Sequence, residues 1–428
     1  MGKSMKSIAE SCTKIALARG AKEAGAAVSR VRDVTLDWRD GKVDRINEAT
    51  RRGVQLQLYV DGRYSVASSS DLRPEALEQF IADSVSNTRV LAEDPYRSLP
   101  DPALYAGQAK KDLELEDPEY ASVTPQMRRE AAKAMEDAAR SVKGADRILS
   151  VTSTFNDTRS ESFRVHSNGF EGTAERTSFV TYAEVSVKDP DGRRPEDYAY
   201  ASVRHLGALP PAEAVGREAT KRALSRLGSQ KADSALYTMV LDPRAGSRLV
   251  GAFGGALSGS ALQQKRSFLE GKAGTAIGSP ALDLADDPLV TRGLASRLFD
   301  GEGIAARRLP LIEGGVLKNY YIDTYYGKKL EMAPTTGGRS NLRWQLGPKS
   351  QEQLLAEVGD AILVTGFIGG NSNSTTGDFS FGVQGFRVRG GKIAEPVSEM
   401  NISGNHLKLW KQLAAVGNDP YPYSSVYT

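Results

Sequence analysis

Residues 25–69 read GAAVSRVRDVTLDWRDGKVDRINEATRRGVQLQLYVDGRYSVASS, and the architecture of the first half can be worked outward from them. Segments 25–38, 43–50, 53–60 and 63–69 alternate apolar and polar residues, the period of half-buried strands. Asp40-Gly41 and Asp61-Gly62 stand between strands, and Asp-Gly accepts the positive φ angles that a two-residue hairpin turn requires. A helix is expected over 5–23. Another is expected from about Pro74 to Val90, with proline in its first turn.

The same order returns further along. A helix is expected over about Pro125–Val142, then strands at 147–155, 160–166, 169–175, 177–188 and 197–204. Turn signals separate them at Asn156-Asp157, Ser167-Asn168-Gly169 and Asp189-Pro190-Asp191-Gly192. A helix over Pro211–Leu227 closes the unit. The repeat shares wording: Tyr64-Ser65-Val66-Ala67-Ser68 before Pro74, and Tyr200-Ala201-Ser202-Val203 before Pro210. The expectation is an α+β chain. A duplicated helix/antiparallel-sheet domain covers residues 1–230, built as two sheets with helices on one face. The Pro- and charge-rich stretch at about 93–123 is expected to be an extended surface connector within it.

A β-rich C-terminal domain is expected over 236–428. It opens with a short strand and then AGSRLVGAFGGALSGSAL, residues 245–262, which has the length of one helix. Gly251, Gly255 and Gly259 recur every fourth residue and would line one face. Each glycine inside a helix costs about 1 kcal/mol relative to alanine, so a bare stripe implies close approach by backbone, ligand or partner. Gly314-Gly315 and Gly390-Gly391 read as hairpin turns. Helices over 350–358 and 406–414 bracket TGFIGGNSNSTTGDFSFGVQGF, residues 365–386. That stretch reads either as a flexible loop leading into a strand or as a loop whose amides and Asp378 border a peptide groove.

Composition narrows the function classes. The 428 residues carry 56 Lys+Arg against 53 Asp+Glu, a net charge of +3, too balanced to argue for nucleic acid. A single cysteine, Cys12, excludes an intrachain disulfide and makes the cytoplasm the expected compartment. No run of about 18 apolar residues indicates a membrane span. The start MGKSMK fits a myristoylation pattern loosely and reads instead as the lead-in to an ordinary first helix.

Motifs for chemistry are scarce. His166, His205 and His406 lack partners at metal-ligand spacing, and each reads as a structural histidine. There is no G-x-S-x-G elbow, no phosphate loop and no dinucleotide fingerprint. Asp286-Asp287 and Asp300-Gly301-Glu302 are the carboxylate pairs available for acid–base work, and the second fits a tight turn.

A series of short phrases carries a resemblance. Ser267-Phe268-Leu269, Gly293-Leu294-Ala295-Ser296, Phe299-Asp300-Gly301-Glu302-Gly303, Gly315-Val316-Leu317, Thr376-Gly377-Asp378-Phe379-Ser380, Pro396-Val397-Ser398-Glu399 and Val416-Gly417-Asn418-Asp419 occur in that order. Ser69-Ser70-Asp71-Leu72, Glu93-Asp94-Pro95-Tyr96 and Ser167-Asn168-Gly169-Phe170 precede them. The ordered set resembles the TldD/PmbA family, once named for a supposed link to DNA gyrase.

That resemblance implies a bacterial or archaeal peptidase assembled from two related subunits and acting on flexible or unfolded peptides. In the TldD type, a helical H-E-x-x-G-H motif and a C-terminal cysteine hold zinc, which activates water. The TldE (PmbA) type lacks those ligands. Carried onto this chain, the motif falls on Val250-Gly251-Ala252-Phe253-Gly254-Gly255. Val250 and Gly255 stand where the histidines would be, and Gly251 where the glutamate would be. The tail PYPYSSVYT has no thiol, and it reads as short for the family, without a final strand.

The expectation is therefore a metal-ligand-free subunit with no cofactor of its own, zinc residing in a TldD-type partner. Gly254, Gly259, Thr376, Gly377, Asp378 and Phe379 are the candidate cavity or peptide-groove residues. The alternatives are a homodimeric peptide- or ligand-binding protein without a peptidase partner, and a metal-independent hydrolase built on Ser or on Asp378 or Asp300. DNA binding is the weakest reading.

Overall fold

The computed structural model describes residues 4–427; the Gly2 of the myristoylation-like start lies outside them. The first region runs α1 (Met5–Ala18), β1 (Glu23–Arg39), β2 (Lys42–Val60), β3 (Arg63–Ser69), α2 (Pro74–Thr88), α3 (Pro125–Arg140), β4 (Ile148–His166), β5 (Glu171–Val187), β6 (Glu196–Val203) and α4 (Ala212–Leu224). The repeat is real, but the two units do not make two sheets. They share one antiparallel sheet of order β3-β2-β1-β4-β5-β6, joined where β1 pairs with β4 from Gly25–His166 to Arg39–Thr152.

Both hairpin turns in the first unit behave as their chemistry demands. Asp40 and Asp61 take φ of 47° and 49°, each followed by a glycine that is also at positive φ. The strands are longer than the turn signals suggest. β2 runs unbroken through 51–52, and Asn156-Asp157 lies in mid-strand rather than in a turn. The Asn156 side-chain amide bonds Asp33, the Val34 carbonyl and Thr35 on β1. Asp157, fully buried, accepts from Arg128 of α3 at 2.5 and 2.9 Å. Partners distant in sequence thus satisfy two residues that otherwise favour turns.

All four helices cover one face. Even-numbered residues of β1 supply two cores. Ala24, Ala26 and Val28 pack with α1 and α2, while Leu36 and Trp38 pack with α3 and α4. At α3–α4 the helices approach closely: a Cβ on Gly216 would sit 1.9 Å from the Met135 carbonyl oxygen.

The stretch 93–123 is not a free surface connector. Leu99, Leu113, Tyr120 and Val123 are buried. Its backbone bonds both regions: Thr177 N to Leu115 O at 2.9 Å, Arg292 N to Leu113 O at 2.7 Å, and Ala305 N to Leu104 O at 2.9 Å.

The second region begins with β7 (Met239–Leu241), α5 (Pro243–Ala256), α6 (Gly259–Gln263), β8 (Leu284–Asp287), β9 (Leu309–Glu313) and β10 (Val316–Leu317). It continues with α7 (Thr324–Leu330), β11 (Asn341–Trp344), α8 (Gln351–Val358), β12 (Ala361–Ser372), β13 (Asp378–Arg389), β14 (Lys392–Asn405), α9 (His406–Leu409) and β15 (Val426–Tyr427). They form sheets of order β10-β9-β8-β11-β15 and β14-β13-β12-β7. The tail does supply a strand, β15, parallel to β11. Gly314-Gly315 and Gly390-Gly391 turn the hairpins β9–β10 and β13–β14. The expected single helix over 245–262 is two. Leu257 ends α5, and Ser258 caps α6 by accepting from Ala261 N at 3.2 Å. No helix among the described residues is long and apolar enough to cross a membrane.

Candidate functional site

Helix α5 has two unlike faces. Asp242 caps it, with Pro243 in the first turn. One face, Leu249, Val250, Phe253 and Ala256, sits in the core of the second region with Leu284, Leu311, Ile312 and Trp410. The opposite face carries Arg248, Gly251 and Gly255. Cβ atoms there would meet almost nothing. At Gly254 no atom lies within 4 Å, at Gly251 the nearest is Arg339 Nη1 at 4.0 Å, and at Gly255 it is Ser374 Cβ at 3.7 Å. The glycines of this face therefore do not serve packing within the chain. Gly259 is different: it is buried on α6, its Cβ position 2.8 Å from Tyr326 Cβ, and its N–H donates to the Tyr321 carbonyl at 2.8 Å. The break after α5 takes it out of the bare stripe.

The glycine-rich stretch is not a loose loop. Residues 361–372 and 378–389 are the paired strands β12 and β13, with a tight tip at 373–377. The tip is held by residues outside α5, with Phe268 N donating to Ser374 O and His406 N donating to Gly377 O, both at 2.8 Å, and it brings Ser374 beside Gly255 of α5. Asp378 is occupied locally, accepting from the Asn405 amide at 2.9 Å, which holds its carboxyl below the usual range. Asn405 also donates to the Thr376 carbonyl. The structure thus brings Gly255, Thr376, Gly377, Asp378 and Phe379 into one neighbourhood and leaves Gly259 out of it.

His406 binds that neighbourhood together. It is fully buried among Phe253, Phe268, Phe379 and Trp410. Trp410 Nε1 donates to its Nδ1 at 3.2 Å, so the proton lies on Nε2, which faces Ser372 Oγ at 2.9 Å. Burial pushes its pKa down to about 4. The other histidines are likewise engaged: His166 with Tyr105 Oη at 3.1 Å, and His205 with the Glu114 carbonyl at 2.9 Å. Asp300 holds its own turn, accepting from Glu302 N, Ile304 N, Thr336 Oγ1 and Gly337 N. Glu302 is raised to about 7 by burial, and it accepts from Thr324 N and Oγ1 at the start of α7.

Three family models cover most of the chain. The PmbA/TldA metallopeptidase domain 1 matches residues 24–88, the central domain 118–227 and the C-terminal domain 234–428. The chain belongs to the PmbA/TldD family. It is similar to "Metalloprotease PmbA" of Escherichia coli, 31% identical over 419 residues, covering 95% of this chain and 90% of that one. Among solved structures it resembles a candidate modulator of DNA gyrase from Bacteroides thetaiotaomicron, at 41% identity and TM-score 0.95, covering 99% of this chain and 95% of that one. It shares its fold with TldE from Thermococcus kodakarensis, at 20% identity and TM-score 0.85, covering 98% and 97%.

A metallopeptidase family implies a metal, and the resemblance puts its ligand positions on α5. Val250 is 2% exposed and packed in hydrocarbon, while Gly251 and Gly255 have no side chain. Five residues of α-helix place Val250 and Gly255 about 140° apart around the axis, one inward and one outward. Among the described residues no group of three or more His, Cys, Asp or Glu could hold an ion. The donor set does not fit zinc, which needs three or four N, S or O ligands.

Proposed function

We propose that this chain is the metal-ligand-free, TldE/PmbA-like subunit of a two-subunit metallopeptidase that processes flexible peptides. A TldD-type partner holds the zinc, and this chain completes the chamber around it. The observation carrying the reading is that the α5 positions on which the resemblance puts ligands offer buried hydrocarbon at Val250 and bare backbone at Gly251 and Gly255. Gly251, Gly254, Gly255 and the β12–β13 tip border the shared cavity, where an extended peptide can pass close to bare backbone. Recognition there is by main chain, which suits unfolded substrates of varied sequence.

An unpaired strand edge supports an assembly. β3 covers β2 only from Val54 to Val60, so residues 42–53 have β1 on one side and no strand on the other among the described residues. Such an edge is a template for another chain. A second copy of this chain meets the same edge, and that homodimeric binding protein is the rival reading. Hydrolysis of an unfolded peptide by the purified chain, alone and with a TldD-type partner, separates the two. Zinc-dependent cleavage is expected only in the mixture. Strong cleavage by this chain alone ends the proposal, and a tight homodimer that ignores the partner favours the rival.

A further inference from the structure

A cavity of about 430 Å³ lies in the second region behind α5, on the side of that helix away from its bare face. Gly246, Leu249 and Val250 of α5 line it, and Gly251 and Gly255 do not. The indoles of Trp344 and Trp410, 5.7 Å apart between ring centres, form another wall. Leu354 of α8 and Leu413 of the tail close it further. The volume is that of a small-molecule pocket. Apolar walls around empty space forgo the contacts that a filled core makes. Water compensates poorly there, because it needs several polar partners.

The charges around the cavity decide what can enter it. Among the described residues no lysine, arginine or histidine lines it. Two arginines come close from outside the lining, and both are engaged. Arg222, which acts on Asp242, pairs with Asp197 at 3.2 Å, and Arg387 lies over the Tyr237 ring at 4.5 Å. An anion therefore finds no partner in the wall. The two acids of the lining are spent on helix starts. Asp242 accepts from Arg244 N at 2.9 Å, and Asp419 accepts from Gln351 N at 3.0 and 3.2 Å. A cation is no better served, and an unpaired charge in apolar surroundings is costly.

Hydrogen bonding selects little. Trp344 Nε1 and Gln351 Oε1 lack partners, but surrounding atoms cover both, so neither is offered to an incoming molecule. Shape, apolar surface and the absence of a usable charge remain. The geometry points to a binding site for a neutral, largely apolar small molecule with the bulk of a substituted naphthalene, held between the two indoles and the inward face of α5. Aromatic rings suit it best, since offset or edge contacts with Trp344 and Trp410 add to the area buried. The site lies within this chain and away from the bare face, so it and the partnership proposed above can fail independently.

Fluorescence titration of the full chain with N-phenylnaphthylamine and with anilinonaphthalene sulfonate tests this. The two dyes share their rings, and only the second carries a charge. The neutral dye is expected to bind, the sulfonate at least about tenfold more weakly, since its charge would meet no cation. Exciting tryptophan should light the bound neutral dye by energy transfer, because Trp344 and Trp410 form the wall. Val250→Phe and Leu354→Phe fill the space from α5 and from α8. Each should weaken the neutral dye at least about tenfold and unfold at the parent's temperature or above, as filling a void does. Should Val250→Phe overpack the core and fail to fold, Leu354→Phe on the half-buried wall decides. Equal binding of the two dyes, no binding of the neutral dye, or undiminished binding by a folded filled variant overturns the proposal. A lower midpoint for Leu354→Phe shows that the chain already fills the space and also overturns it.

Discussion

Helices α4 and α5 both carry glycine in their interiors, for opposite reasons. In α4 a methyl group on Gly216 would strike the Met135 carbonyl oxygen of α3 at 1.9 Å, so the glycine lets two helices touch. In α5 a methyl group on Gly254 would meet nothing within 4 Å. The first glycine is explained inside the chain. No contact within the described residues explains the second. A glycine pattern in sequence therefore says that bulk is excluded, without saying by what.

The comparison can be broken at three places. The largest effect is expected below α4, where α3 is anchored by the buried Arg128–Asp157 pair. Asp157→Ala leaves the guanidinium alone in the core and should cost about 3–5 kcal/mol in urea unfolding. Gly216→Ala comes next. Overpacking against a backbone oxygen should cost about 1–3 kcal/mol, with α3 and α4 loosening first in hydrogen exchange. The smallest effect has the opposite sign. Gly254→Ala should stabilise the isolated chain by about 0.5–1 kcal/mol through helix propensity alone. If it destabilises instead, the bare face is packed within the chain, and the contrast with α4 disappears.

Much of the fold was legible in local chemistry. The Asp-Gly pairs at 40–41 and 61–62, the prolines opening α2 and α3, and the Ser350–Gln353 capping box mark turns and helix starts without help from distant residues. What stayed hidden depends on partners far along the chain. Asn156-Asp157 has turn chemistry, and partners on β1 (Asp33, Val34 and Thr35) and on α3 (Arg128) hold it in a strand. The two units look like separate sheets until β1 and β4 pair. Ser258 has the chemistry of a helix cap, yet the regular glycine spacing around it argued for one helix.

The candidate site divides in the same way. That Val250, Gly251 and Gly255 carry no N, O or S side-chain donor is visible residue by residue. The docking of the β12–β13 tip through His406 is not, because the ring of aromatics around that imidazole is gathered from four separate elements.

The seam between β1 and β4 decides what would happen if the chain were cut. The two units repeat one element order, yet neither is a module: severing the strap near residue 110 would give each fragment a raw flank running the whole of Gly25–Arg39 or Thr152–His166. Each flank is the other's complement. Fragments expressed separately would thus be sticky alone and competent only when mixed, and the chain is best regarded as a fused dimer that can no longer come apart.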